Sequence, residues 1–348
     1  MDMIKSGKAM AVYVIASSMT STIPGISLAG AAPMATLFTP ALDVEYLFYG
    51  KCVTLDLIPT TPTGIPTPAI ITKAALHLMK IPFVVVDAGS YVEPKIPHIR
   101  LSSRCVGRRI DKEDALPSGT SRNLFEEAKN VGHILGSIAN IVLIGESMPG
   151  GTTTALAILQ GLGYEAYNIV SSASKVNPIE LKKTIVEKAL KRLKDVKDPF
   201  TVNDVVGDSL HISIAGIALG ALQAGSIAIL AGGTQMLAAL SLMKAINPLF
   251  PQDKVVIATT RWIFADKGKE ITGFLNEVLP NVSLIYVDIN FADAPFEGLR
   301  AYEEGYVKEG VGAGGTASMA VIKGFGVDDL KKAIFDEYKR LVEVRNNG

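Results

Sequence analysis

Apolar residues in this chain cluster in short unbroken runs, and between the runs their spacing changes to that of helices. Runs at 12–16, 83–87, 141–145, 226–231, 254–259 and 284–288 are rich in Val, Ile, Leu and Ala. Strands covered on both faces read this way, because neither face meets water. Segment 179–196 instead places Leu181, Ile185, Ala189 and Leu193 on one helical face. Asn177, Pro178 and Glu180 give it a capped start with proline in the first turn. A second stripe, Leu330, Ile334, Tyr338 and Leu341, runs through 325–345. Strands alternating with helices predict an α/β fold: a doubly wound, mainly parallel, Rossmann-like sheet with helices on both faces. Ligands of such sheets bind beyond the carboxyl ends of the strands. The expected organisation is one α/β domain over 1–348. Its core spans about 10–322, and the helix at 325–345 packs as a small helical subdomain.

The stretch 209–243 carries no formal charge and exceeds the ~20 residues that cross a bilayer. Gly216, Gly220, Gly225, Gly232 and Gly233 interrupt it, and His211, Gln223 and Gln235 lie within it. It reads as helix 212–223, strand 226–231, a Gly-Gly turn and helix 235–245, so no membrane association is expected. Lys5 and Lys8 precede an apolar stretch from Ala9 to Ser17 that reads as a first strand rather than an export signal. A cytoplasmic protein is the expectation. Residues 50–68 and 95–117 read as long ordered loops.

Composition narrows the function classes. Lys plus Arg and Asp plus Glu balance at 34 each in 348 residues, which removes the electrostatic case for a nucleic-acid partner. Cys52 and Cys105 have no metal-site spacing, and His77, His98, His133 and His211 form no close pair. Neither a metal nor a cofactor is expected. A mean hydropathy of +0.31 without a membrane span suggests an apolar face covered by a second subunit.

Two segments carry candidate chemistry. In Gly145-Glu146-Ser147-Met148-Pro149-Gly150-Gly151-Thr152-Thr153 a strand meets a helix through glycines. The free N–H groups and threonine hydroxyls of that first helical turn suit an anion, phosphate above all. The segment has neither the Lys of a Walker loop nor a clean dinucleotide fingerprint. In Lys308-Glu309-Gly310-Val311-Gly312-Ala313-Gly314-Gly315 one carboxylate sits among small residues. A ligand pressed against it would desolvate it and raise its pKa toward the range useful for accepting a proton.

These segments, in order, resemble a known family. Gly145-Glu146 with Gly150, Thr152 and Thr153 is similar to the G-E-M-G-x-x-N-T-T of nicotinate-nucleotide:dimethylbenzimidazole phosphoribosyltransferases. Glu309-Gly310-Val311-Gly312-Ala313 resembles their E-G-S-G-A, Ala265-Asp266-Lys267-Gly268 their A-E-K-G, and Val86-Asp87-Ala88-Gly89 their I-D-V-G. The similarity spans about 80–320 and points to the poorly characterised archaeal branch. It implies transfer of the phosphoribosyl group of nicotinate mononucleotide to a benzimidazole-type base, releasing nicotinate and giving an α-ribotide for cobamide lower-ligand assembly. It further implies Glu309 as general base assisted by Glu146. Phosphate and ribose would contact Gly150, Gly151, Thr152, Thr153, Ser172, Ser174, Lys182, Gly310 and Gly312. The base would meet Asp43, Tyr46, Asp87 and Gly89. The partners implied are these small molecules and a second copy of the chain, as a homodimer. Gly151 stands where the family has Asn, and Gly232 where it has Asp. A non-catalytic nucleotide or corrinoid-precursor binding protein would keep the phosphate loop without needing Glu309, and is the alternative.

Overall fold

The computed structural model describes residues 7–346 apart from 30–32, 56–59, 62–63 and 195, so part of the expected loop at 50–68 lies outside the described residues. Seven strands form one sheet: β1 (Ala9–Ala16), β2 (Phe83–Gly89), β3 (Ile99–Arg100), β4 (Ile141–Ser147), β5 (Ile227–Ala231), β6 (Val255–Thr260) and β7 (Ser283–Val287). They lie in the order β3-β2-β1-β4-β5-β6-β7, every pair parallel. The six apolar runs are six of these strands. The seventh, β3, is a two-residue edge beside Val86 and Asp87, too short to leave a pattern.

The helices are α1 (Thr39–Tyr49), α2 (Ala69–Met79), α3 (Thr120–Ile138), α4 (Gly151–Gly161), α5 (Ile179–Leu190), α6 (Pro199–Val206), α7 (Ser209–Gln223), α8 (Gln235–Ile246), α9 (Arg261–Val278), the short α10 (Glu297–Arg300), α11 (Ala313–Ile322) and α12 (Val327–Asn346). Alternate strand residues feed two cores, as the strand period requires. Val12, Val14, Val142, Ile144, Leu230 and Ile257 face the layer of α3, α4, α7 and α8. Ala11, Tyr13, Ile15, Leu143, Ile229 and Ala258 face that of α1, α2, α11 and α12. Helix α12 buries the expected Leu330, Ile334 and Leu341 in this second core and packs against α2.

The uncharged stretch 209–243 is α7, β5 and the start of α8, interior to this fold. No helix among the described residues is long and apolar enough to cross a membrane. Its glycines have a packing cause. A Cβ on Gly220 would lie 2.0 Å from the Lys129 carbonyl oxygen, and one on Gly132 would lie 2.0 Å from that of Ile217. Helices α3 and α7 therefore touch backbone to backbone, which only residues without a side chain permit.

This contact gives a stability test. Gly220→Val should destabilise the protein by about 3 kcal/mol or more, because the obstacle is backbone and cannot swing aside. Gly273→Ala, in exposed space within α9 where an added Cβ meets nothing within 4 Å, should stabilise by about 0.5–1 kcal/mol. Urea unfolding midpoints measure both. A Gly220→Val variant as stable as the parent would show that the two helices do not meet as described.

Candidate active site

Strand order turns between β1 and β4: the chain builds outward from β1 to β2 and β3, then from β4 to β7 on the other side. Crossover connections diverge at such a point and leave a crevice beyond the strand ends. A cavity of about 650 Å³ occupies it. Its wall comes from α1, the β4–α4 turn, the turn at 171–173, the start of α8 and the segment 307–311.

Among the described residues three carboxylates face this cavity, each held by different elements. Glu146 is carried on β4 and is 3% exposed. Its Oε2 accepts from the Met148 N–H at 3.0 Å and its Oε1 from Gln235 Nε2 at 3.1 Å. Burial, with the charge of Glu309 adding to it, pushes Glu146 up to about 8. Glu309 accepts from Thr259 Oγ1 and the Thr260 N–H through Oε2, and from the Gly310 and Gly314 N–H groups through Oε1. Those donors favour its ionised form, yet burial outweighs them and raises it to about 7. Asp43, on α1, accepts from Thr67 Oγ1 at 2.8 Å and Ser147 Oγ at 2.7 Å. Burial lifts it to about 6. Carboxylates spread across neutral pH can give and take protons there.

The loop that presents Glu309 is strained. Val307 and Val311 have φ of 48° and 54°, a region that β-branched residues avoid. Contacts on each side hold them: Val307 N–H donates to the Ala173 carbonyl, and the Val311 carbonyl accepts from Thr72 Oγ1. After Glu309 the glycine-rich sequence becomes α11, which the sequence did not announce. A Cβ on Gly314 or Gly315 would lie 2.0 Å or 2.3 Å from Thr259 or Ala231, so these glycines seat α11 on the strands. Strain of this kind clusters at working sites and costs about 1–3 kcal/mol per residue.

An anion-ready region lies at the other side of the cavity. Gly150, in the left-handed region at φ 74°, turns the chain from β4 into α4, and Gly150, Gly151 and Thr152 line the cavity. Behind them Lys182 is fully buried, its Nζ donating to Thr152 Oγ1 at 2.9 Å and to the Ser171 carbonyl at 2.6 Å. Burial, with Lys308 and Lys267 nearby, lowers it to about 7. Lys308 donates to the carbonyls of Ser172 and Ser174 and pairs with Asp266 at 3.5 Å. Asp266 in turn accepts from Ser171 Oγ. The carbonyls of Ser171 to Ser174 are thus all turned to protein donors. The Ser171 N–H is bonded as well, donating to Thr234 Oγ1 at 3.0 Å, so the turn is held through an amide as well as its carbonyls.

Of the residues named from sequence, the cavity brings together Asp43, Glu146, Gly150, Gly151, Thr152, Ser172, Glu309 and Gly310, with Lys182 directly behind. Six others stand apart from it. Tyr46 does not line the cavity, and its hydroxyl donates to Glu337 Oε1 of α12 at 2.7 Å. Asp87 is fully buried and bound by Arg104 Nε at 2.7 Å and by the N–H groups of Gly89 and Ser90. Gly89 lies against Cys105, whose carbonyl oxygen would be 2.0 Å from an added Cβ. Asp87 and Gly89 therefore hold the β2–β3 connection and do not line this cavity. Thr153 turns into the core one residue past the cavity. Ser174 supplies its carbonyl to Lys308 and Ser172 Oγ. Gly312 caps α11, its Cα face against Gly145. Sequence reading missed Gln235, Lys308, Thr259 and Thr260. Of these only Gln235 left a signal, as a polar residue inside an uncharged stretch.

Comparison with known proteins bears on the family and the fold. A phosphoribosyltransferase family model matches residues 69–260, more than half of the chain. A UPF0284 protein of Aeropyrum pernix is 47% identical over 339 residues, covering 97% of this chain and 94% of its own. One from Archaeoglobus fulgidus is 41% identical over 339 residues, covering 97% and 96%. The solved structure of nicotinate-nucleotide-dimethylbenzimidazole phosphoribosyltransferase from Thermus thermophilus shares the fold, with a TM-score of 0.65 at 17% identity over 93% of this chain and 83% of that one. The chain therefore belongs to the nicotinate-nucleotide:dimethylbenzimidazole phosphoribosyltransferase family, in the branch of archaeal UPF0284 proteins.

Proposed function

We propose that this phosphoribosyltransferase moves the phosphoribosyl group of nicotinate mononucleotide to a ring nitrogen of a benzimidazole-type or related base. The products are nicotinate and an α-ribotide, which serves as the lower-ligand precursor of a cobamide. The observation that carries this reading is the meeting, in one cavity, of two desolvated carboxylates with the glycine–threonine turn at the start of α4. The nucleotide phosphate sits at that turn, where the helix dipole and free N–H groups favour it. The acceptor base enters between Glu309 and the apolar wall of Leu42, Pro68 and Val311.

The chemistry asks for little more. The departing pyridine is already cationic in the nucleotide, so the bond from C1′ to nitrogen breaks without acid assistance. The attacking ring nitrogen forms the new bond to C1′, and the proton on the partner nitrogen passes to Glu309. Burial raises both carboxylates into the neutral range, so the pair can hold one proton between them and leave one carboxylate free to accept another. Protein incubated with nicotinate mononucleotide and a panel of bases should release nicotinate only when an acceptor is present. Release that ignores the base would identify a hydrolase, and no release with benzimidazoles, purines or phenols would remove the transferase reading.

The pKa directions set a second test. Glu309 acts deprotonated, so turnover at saturation should rise as pH passes upward through about 7. Glu309→Gln should lower it by roughly 10²–10⁴ and abolish that rise, with nucleotide affinity little changed. Lys182 acts protonated, so nucleotide affinity should weaken as pH rises through about 7. Lys182→Ala should flatten that dependence and raise KM more than it lowers kcat. Turnover of Glu309→Gln equal to that of the parent would remove Glu309 from the proton transfer.

We further propose a homodimer with the cavity near the subunit boundary. Leu28 and Leu55 at the cavity and Phe48, Tyr49 and Val53 on and after α1 are each more than a third exposed. Apolar groups so placed gain by pairing with another subunit. Sedimentation at micromolar concentration should give twice the monomer mass, and a monomer there would contradict this.

A further inference from the structure

Gln235 is the first residue of α8 and enters the cavity across from Gly151. Its amide makes one hydrogen bond within the protein: Nε2 donates to Glu146 Oε1 at 3.1 Å. The other end of the amide, Oε1, is buried and has no partner among the described residues. That oxygen lies where a side chain at 151 would begin, since a Cβ on Gly151 would sit 2.0 Å from it. Packing alone would be met at lower cost by a leucine or methionine, which fill a similar volume without stranding a carbonyl. The single bond to Glu146 is what an amide adds at this position.

The geometry points to Gln235 as the positioning residue for Glu146, seated in the space that Gly151 leaves open, so that an amide from α8 orients the carboxyl group that β4 carries. This inference rests on the proposed function for its consequence in turnover but not for its structural content. Glu146 has two donors, the Met148 N–H and the Gln235 amide. Around it stand Glu309 of the segment before α11, Asp43 of α1 and Asp208 at the start of α7, all of which disfavour its charge. The two donors alone oppose burial and these three neighbours. A donor to the ionised form lowers a carboxyl pKa, as the Met148 N–H does for Glu146, and the Gln235 amide at 3.1 Å is a second donor of that kind. It thereby sets the interval between the two carboxylates that the reaction uses. Gly151 is the matching half of the device: any side chain there displaces the amide, whose far end is flexible enough to move.

The test follows the ionisation of Glu146 by carbon NMR of selectively labelled glutamate carboxyl groups, with Glu146→Gln assigning the resonance. No substrate or turnover is needed, so failure of the transferase reading does not touch it. In Gln235→Leu the midpoint of Glu146 should move up by about one pH unit, the size expected for losing a hydrogen bond to a charged group. Gly151→Ala keeps the glutamine but pushes it aside, and should reproduce most of that shift. The double variant should shift no further than Gln235→Leu alone. With turnover present, any change of rate at the pH where Glu146 ionises should move by the same amount. An unchanged Glu146 midpoint in both single variants would show that Gln235 only fills space. Additive shifts in the double variant would show that Gly151 acts independently of it.

Discussion

Glu146 lies near the end of a strand covered on both faces, and its carboxylate is almost wholly withdrawn from water. Placing an ionisable group there costs free energy unless it is neutral or well supplied with donors. Much of the surrounding structure responds to that cost. The turn after β4 returns the Met148 N–H to one oxygen, and α8 delivers the Gln235 amide to the other. Gly151 is bare because the amide occupies its side-chain space. Glu309 meets the same demand with four donors, two of them from the turn that opens α11. The strained valines on each side of it show what the fold gives up to hold that turn.

The wall proposed to hold phosphate follows the opposite logic. Here the buried charge is cationic, and Lys182 is supported by a hydroxyl and a carbonyl rather than by an acid. Lys308 is partly neutralised by Asp266. Together the two lysines grip the carbonyls of the 171–174 turn, so the rigidity of that turn depends on charge held beneath it. One cavity therefore has a wall where anions are welcome and a wall where carboxylates are kept close to neutral. That division matches a substrate with a phosphate at one end and a reacting ring at the other.

Much of this was legible in the amino-acid sequence, for identifiable reasons. Strands buried on both faces leave unbroken apolar runs, so six of the seven strands could be read directly, and the edge strand β3 could not. The Glu146 and Glu309 segments stood out because each sets one carboxylate beside several glycines, and both follow in order the motifs of one family. What escaped was direction. Tyr46 and Asp43 are three residues apart on one helix, yet one reaches Glu337 and the other faces the cavity. Asp87 ends a strand beside the site, but Arg104, from a loop without periodicity, claims it. The resemblance named Lys182, but nothing in the spacing showed that the packing of α5 against α4 buries it while Lys183, Lys188 and Lys191 stay exposed. Such facts depend on which neighbour arrives from a distant part of the chain.

The mutual influence of Glu146 and Glu309 is the point on which the account most depends. Its direct measure is the ionisation midpoint of Glu146, followed in the unmodified protein and in Glu309→Gln. In the unmodified protein the midpoint should lie near 8. It should fall when Glu309 loses its charge, because one of the groups opposing ionisation has been removed. A midpoint in the ordinary carboxylate range, unchanged by the substitution, would mean that the two groups neither share a desolvated cavity nor act as a pair.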